Sequence, residues 1–320
     1  MTTSLDAPFA AHDESFVDVL GDAPRLERVI DTDAHEGPVY LPAEDALYFT
    51  TLPGRDGVAI ARLQLAGTRF PVHPANLSVV RRPSAAANGM THGPDGRLVV
   101  CEQGSPVEDA AISAVHPNTG DREPLVTSWR GLPLNSPNDV VVARDGSIWF
   151  TDPSYGHLQG FRPEPQVGDY VYRHDPATGE TAVVADDLDK PNGLAFAPDQ
   201  SVLYVADSGA NQERGSYYPG RPHHVVGYDV LGGRRLGSRA LFAVVTPGFP
   251  DGLKVDRAGR VYVSSSAGVQ VYRPDGELIG EICLPGTVNF AFGGPAGNVL
   301  FITADTAIWA AVLGPTTRGV

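Results

Sequence analysis

One short pattern occurs six times along this chain, and few folds can accommodate it. The copies are EGPVYLPAEDALYFT from Glu36, NGMTHGPDGRLVVCE from Asn88, NDVVVARDGSIWFTD from Asn138, NGLAFAPDQSVLYVAD from Asn192, DGLKVDRAGRVYVSS from Asp251 and NFAFGGPAGNVLFITAD from Asn289. Each opens on a polar residue, often followed by Gly or Asp. An apolar strand, a Pro/Asp/Gly turn and a second apolar strand then follow. A spacing of roughly 40–60 residues is that of propeller blades of about four strands. The pattern therefore predicts an all-β, six-bladed β-propeller. Blades related by radial pseudo-symmetry place equivalent positions on one ring. Glu36, Asn88, Asn138, Asn192, Asp251 and Asn289 are thus expected to converge on a small polar site in the central channel.

Blades cannot bury their faces alone, so the 320 residues are expected to form one ring rather than two domains. The expected organisation is an N-terminal lead-in over 1–24 and a single propeller over 25–320. RLERVI (25–30) alternates like an edge strand, and the repeat from Asn289 is too short for four strands. Pairing of RLERVI into that last blade would close the ring and remove an exposed sheet edge. Two connections, 153–169 and 208–224, are too long for tight hairpins and rich in aromatic and charged groups. They are the candidate walls or lids of the site.

The formal net charge of −14 argues against nucleic acid and against anionic membrane surfaces as partners. No apolar run reaches the ~18–20 residues that span a bilayer. The N-terminus lacks a basic start and an apolar h-region. The two cysteines, Cys101 and Cys283, lie in apolar strands, as reduced thiols would. A cytoplasmic protein acting on a small molecule is expected, and the sequence leaves its oligomeric state open.

The residues opening four of the innermost strands, Glu36, Asn138, Asn192 and Asp251, are two carboxylates and two amides. These are hard oxygen donors, with no imidazole or thiolate, suited to Ca²⁺, or to Mg²⁺ or Mn²⁺, and not to Zn²⁺ or Cu²⁺. Asn-Gly and Asp-Gly are also common turn dipeptides; the shared register before an apolar strand is what favours a site. The expected cofactor is one divalent cation, Ca²⁺, with Mg²⁺, Mn²⁺ or Zn²⁺ able to replace it in vitro. Four protein donors leave coordination positions for water and substrate. Asn88 and Asn289 complete the ring as candidate substrate contacts. Tyr155, in the 153–169 connection, is a third candidate substrate contact. Alternation turns His35 away from Glu36. Ser154 lacks the G-x-S-x-G context of a nucleophile.

HEGPVY (35–40), LNSPNDVVVARDGSIWFTDPSYG (134–156), KPNGLAFAPD (190–199), FPDGLKVD (249–256) and VNFAFGG (288–294) resemble the SMP-30/gluconolactonase/LRE family of six-bladed propellers. The resemblance runs from about residue 25 to 313. GFRPEPQVGDYVYRHDPATGE (160–180) further resembles the lactonohydrolase branch, which hydrolyses aldonolactones and pantoyl lactone. It implies that Glu36, Asn138, Asn192 and Asp251 hold the metal and that Asp251 is the general base. Ser136 stands where some members carry an arginine that contacts sugar hydroxyls. Lys254 stands near the place where related organophosphate hydrolases use an aspartate for a second calcium ion. The implied activity is metal-dependent lactone hydrolysis. Hydrolysis of organophosphates or other esters, a natural-product biosynthetic step, and a non-catalytic binding scaffold are the alternatives.

Overall fold

The computed structural model describes residues 8–66 and 74–320. Six antiparallel sheets, five of four strands and one of five, stand around a central axis, a six-bladed β-propeller. Blade 1 runs outward from Glu36–Leu41 through Ala46–Thr50 and Ile60–Leu65 to Pro74–Arg81. Blades 2, 3 and 4 follow the same order, with innermost strands Ala87–His92, Val140–Val142 and Pro191–Phe196. Blade 5 begins at Leu253–Val255 and carries a fifth, outermost strand, Phe9–Ala11, paired with Leu278–Cys283. Blade 6 begins at Asn289–Gly293, and its outer strand is Arg25–Ala34, paired with Asp305–Val312. The ring is thus closed by residues 25–30, as the short final repeat requires.

The core is divided among the blade interfaces. Six apolar clusters are formed, each from two adjacent blades. One joins Tyr48 and Ile60 of blade 1 to Met90 and Val100 of blade 2. Another joins Trp149 and Val171 of blade 3 to Leu203 and Val226 of blade 4. A middle strand must therefore be apolar on both faces. Along Ile148–Asp152 every residue is buried, with Phe150 packed toward blade 2 and Trp149 toward blade 4. The helix Phe16–Leu20 adds Phe16 and Val19 to the cluster between blades 5 and 6. The lead-in thus lies across the base of these two blades. Cys101 is buried, Cys283 half-buried, and both are free thiols. No helix among the described residues is long and apolar enough to cross a membrane.

Strand direction decides what surrounds the channel. In blade 1 the first strand starts where the second ends, Glu36 opposite Thr50; in blade 6 Asn289 lies opposite Thr303. The connection from second to third strand in every blade therefore opens on the face where the first strands begin. These connections span 51–59, 103–110, 153–169, 208–223, 266–267 and residue 304. The mouth has a high wall over blades 3 and 4 and almost none over blades 5 and 6.

Candidate active site

The backbone at the ring is tied from blade to blade. The amide of Gly89 donates to the Asn138 carbonyl at 2.7 Å, and that of Gly193 to the Asp251 carbonyl at 3.1 Å. The hydroxyls of Thr50 and Thr151 donate to the Asn88 and Asn192 carbonyls, at 3.3 and 2.9 Å. These contacts explain the glycine that follows most ring residues. A Cβ on Gly193 would stand 2.2 Å from the Asp251 carbonyl oxygen, and one on Gly37 2.3 Å from that of Asn88. The dipeptides are therefore places of close blade approach at a strand start rather than hairpin turns.

Glu36, Asn138, Asn192 and Asn289 are buried, and Asn88 and Asp251 are half-buried. Asn289 donates from Nδ2 to Glu36 Oε2 at 2.8 Å, and the Gly37 amide donates to the same oxygen at 2.9 Å. Burial, and then the negative charge of Glu36, holds Asp251 well above the usual carboxylate range; His35 and a hydrogen bond from Asn192 oppose the shift. Asn88 Oδ1 is buried without a hydrogen-bond partner, and so is the Tyr155 hydroxyl. Each such group costs about 1–3 kcal/mol unless something binds it. Among the described residues no three His, Cys, Asp or Glu side chains form a metal-binding group. The two axial carboxylates would need the amide oxygens of Asn138 and Asn192 to complete a donor set. The repelling pair Glu36/Asp251 and the orphaned Asn88 oxygen fit a hard divalent cation.

Tyr155 opens a one-turn helix, Tyr155–Leu158, just past the blade 3 second strand. Ser136 fixes that turn: its hydroxyl donates to the Pro153 carbonyl at 2.6 Å and accepts the Gly156 amide at 2.8 Å. Ser136 is fully buried and serves as an internal strut. Two aspartates secure the approaches to the inner strands. Asp152 accepts the amides of Asn135 and Ser136 at 2.9 and 2.8 Å, and Asp207 those of Asp189 and Lys190 at 3.1 and 2.9 Å. Burial raises Asp152 to about 7, the two amides pulling the other way. Lys190, itself buried, reaches Asp169 at 3.0 Å and Asp189 at 3.2 Å, and Asp189 also pairs with Arg221 at 3.0 Å. Arg162 donates to the carbonyls of Ser105, Glu108 and Asn135 at 3.1, 3.0 and 3.2 Å. Both long connections are fastened as walls by these contacts.

Two features were not foreseen. His35 lies at the low rim, where its Nδ1 is 2.7 Å from Asp305 Oδ1. Burial alone would lower the imidazole, but Asp305, Glu36 and Asp251 together raise it. Residue 35 falls between the strands Arg25–Ala34 and Glu36–Leu41, so strand alternation does not fix its direction. Within the channel, Lys254 Nζ stands 3.7 Å from Asp139 Oδ2. Asp139 is raised to about 6 by burial, which the Lys254 ammonium opposes and the Glu36 charge reinforces. An aspartate where most repeats have glycine was the available signal.

A family model described as the SMP-30/gluconolactonase/LRE-like region matches residues 34–306. The chain belongs to this family. It is 31% identical to a gluconolactonase of Zymomonas mobilis over 88% of this chain and 82% of that protein. It is 30% identical to a lactonohydrolase of Aspergillus oryzae over 88% of this chain and 69% of that one. Among solved structures, a gluconolactonase of Xanthomonas campestris superposes with a TM-score of 0.80 at 34% identity, covering 96% of this chain and 95% of that one. Similarity of this extent takes in all six blades of this family member, including both walls of the mouth.

Proposed function

We propose that this propeller hydrolyses small lactones at its axial ring. The observation that carries the reading is the axial Glu36/Asp251 carboxylate pair, found in a chain about 30% identical to a gluconolactonase and a lactonohydrolase over most of its length. One divalent cation, Ca²⁺ by donor type, would be held by Glu36, Asn138, Asn192 and Asp251. When bound, such an ion supplies Lewis-acid polarisation of the ester carbonyl and neutralises the two carboxylates. The chain's own residues divide the remaining work. Asp251, whose backbone amide is fixed by the Ser264 hydroxyl, takes a proton from the attacking water. Asn289 fixes the Glu36 carboxylate. Asn88, with its amide oxygen unpartnered, and Tyr155 contact the substrate. The high walls over blades 3 and 4 limit access of bulk water, and the low rim over blades 5 and 6 admits the lactone.

The test is a panel of aldonolactones and simple γ- and δ-lactones followed by proton release. Metal-stripped protein is the control, with Ca²⁺ added back. Ring opening that disappears on stripping and returns with the ion supports the reading. Failure to open any lactone above the spontaneous rate overturns it.

A further inference from the structure

The hydroxyls around the ring differ in what their protons do. Those of Thr50, Thr151 and Thr303 donate to the carbonyls of Asn88, Asn192 and Asn289, at 3.3, 2.9 and 3.0 Å. Ser208 donates to the Pro250 carbonyl. Tyr155 is different. Its side chain is 4% exposed, yet its hydroxyl has no hydrogen-bond partner. Asn192 and Ser208 lie near enough to act on its oxygen as donors and the charge of Asp251 reaches it, but its own proton meets no acceptor among the described residues. Its position is fixed: Ser136 bridges the turn on both sides of it, and Asp169 accepts the Ser154 amide. A rigidly held donor, kept from water and aimed at the ring, is suited to a group that arrives with the substrate.

We infer that the Tyr155 hydroxyl donates a hydrogen bond to the endocyclic oxygen of the bound lactone, stabilising it as the leaving group. This rests on the lactonase reading above. In the step itself the oxygen of water bonds to the carbonyl carbon. The ring C–O bond breaks, its electron pair goes to the endocyclic oxygen, and the proton lost by water ends on that oxygen. Tyr155 stays protonated throughout. Tyr155 is then a catalytic residue whose contribution grows as charge develops on the leaving oxygen.

The chemistry of that oxygen supplies the test. A thiolactone presents sulfur at the same position, a weak acceptor and a better leaving group. Tyr155→Phe keeps the ring and its packing while removing the hydroxyl. It should lower kcat for the oxygen lactone about 10²-fold, with KM and melting temperature little changed. For the matching thiolactone, kcat should stay within about threefold of wild type. Equal losses on both substrates would overturn the inference, since the hydroxyl would then serve the carbonyl oxygen or the pocket's shape. No loss on either would overturn it as well. Failure of the parent reading is separable: it would appear as wild-type protein that opens no lactone.

Discussion

Blades 3 and 4 and blades 5 and 6 are built on the same sheet plan yet meet the channel differently. In the first pair, the connection over the mouth spans 153–169 and 208–223; in the second it spans 266–267 and residue 304. The long pair ends its second strands in buried Asp152 and Asp207, each accepting two successive amides. The short pair has Ser265 and Thr303 there. The ring of polar residues follows the radial symmetry, whereas its surroundings do not. Symmetry collects the donors at the axis. The two elaborated blades supply the asymmetric environment that a substrate with two distinct ends requires.

The largest expected effect tests the axial carboxylates, Glu36 opening blade 1 and Asp251 leading into blade 5 on the low side. Asp251→Asn should lower kcat by about 10²–10⁴-fold even at saturating metal. Glu36→Gln should mainly weaken metal affinity and recover activity at high metal. Equal rescue of both variants would make Asp251 a ligand only. Next is Lys190, which fastens both high walls. Lys190→Met strands Asp169 and leaves Asp189 with Arg221 alone; it should cost about 3 kcal/mol in urea denaturation, with KM rising more than kcat falls. An unchanged KM would mean that the walls hold without it.

A smaller effect separates the buried aspartates of the high side by pH. Asp152 is raised from 3.8 to about 7. Its protonated form contributes stability that is full below the unfolded value and lost as pH rises through the folded one. The stability advantage of wild type over Asp152→Asn should therefore shrink by about 3 kcal/mol between pH 4.5 and 8. A gap that stays constant or widens with pH contradicts the assignment. The smallest effect belongs to the low rim. Asp305→Asn removes the partner of His35 in a pair whose side chains are 32% and 46% exposed. It should change stability by no more than about 0.5 kcal/mol and lower the His35 pKa in an NMR titration. An unmoved His35 would show that the axial carboxylates alone set its ionisation.

Legibility in the sequence followed periodicity. The six repeats, the convergence of their opening residues and the use of 25–30 to close the ring all rest on patterns repeated or sustained over many residues. The strand Phe9–Ala11 is three residues long and carries no readable period, so its place on blade 5 was hidden. The pairing of His35 with Asp305 was hidden because residue 35 lies between two strands and its partner is 270 residues away. Ser136 and Lys190 lie in a strut and a clamp whose partners are distant in the chain, and pairings of that kind leave no local mark. The roles of the ring residues in binding and catalysis stand as proposals for the experiments above.

The seam of blade 6 sets a schedule for making the molecule. Arg25 lies opposite Val312 in that sheet, so one of the earliest strands to be synthesised is paired with one of the last. At ribosomal rates of about 5–20 residues per second the early strand waits on the order of tens of seconds for its partner. Throughout that interval the nascent chain carries an unsatisfied sheet edge and half of two blade interfaces. A stalled or prematurely ended chain keeps both, making it a client for chaperones or a seed for aggregation. Completion of the last strand is thus the event that turns an open, adhesive arc into a finished ring.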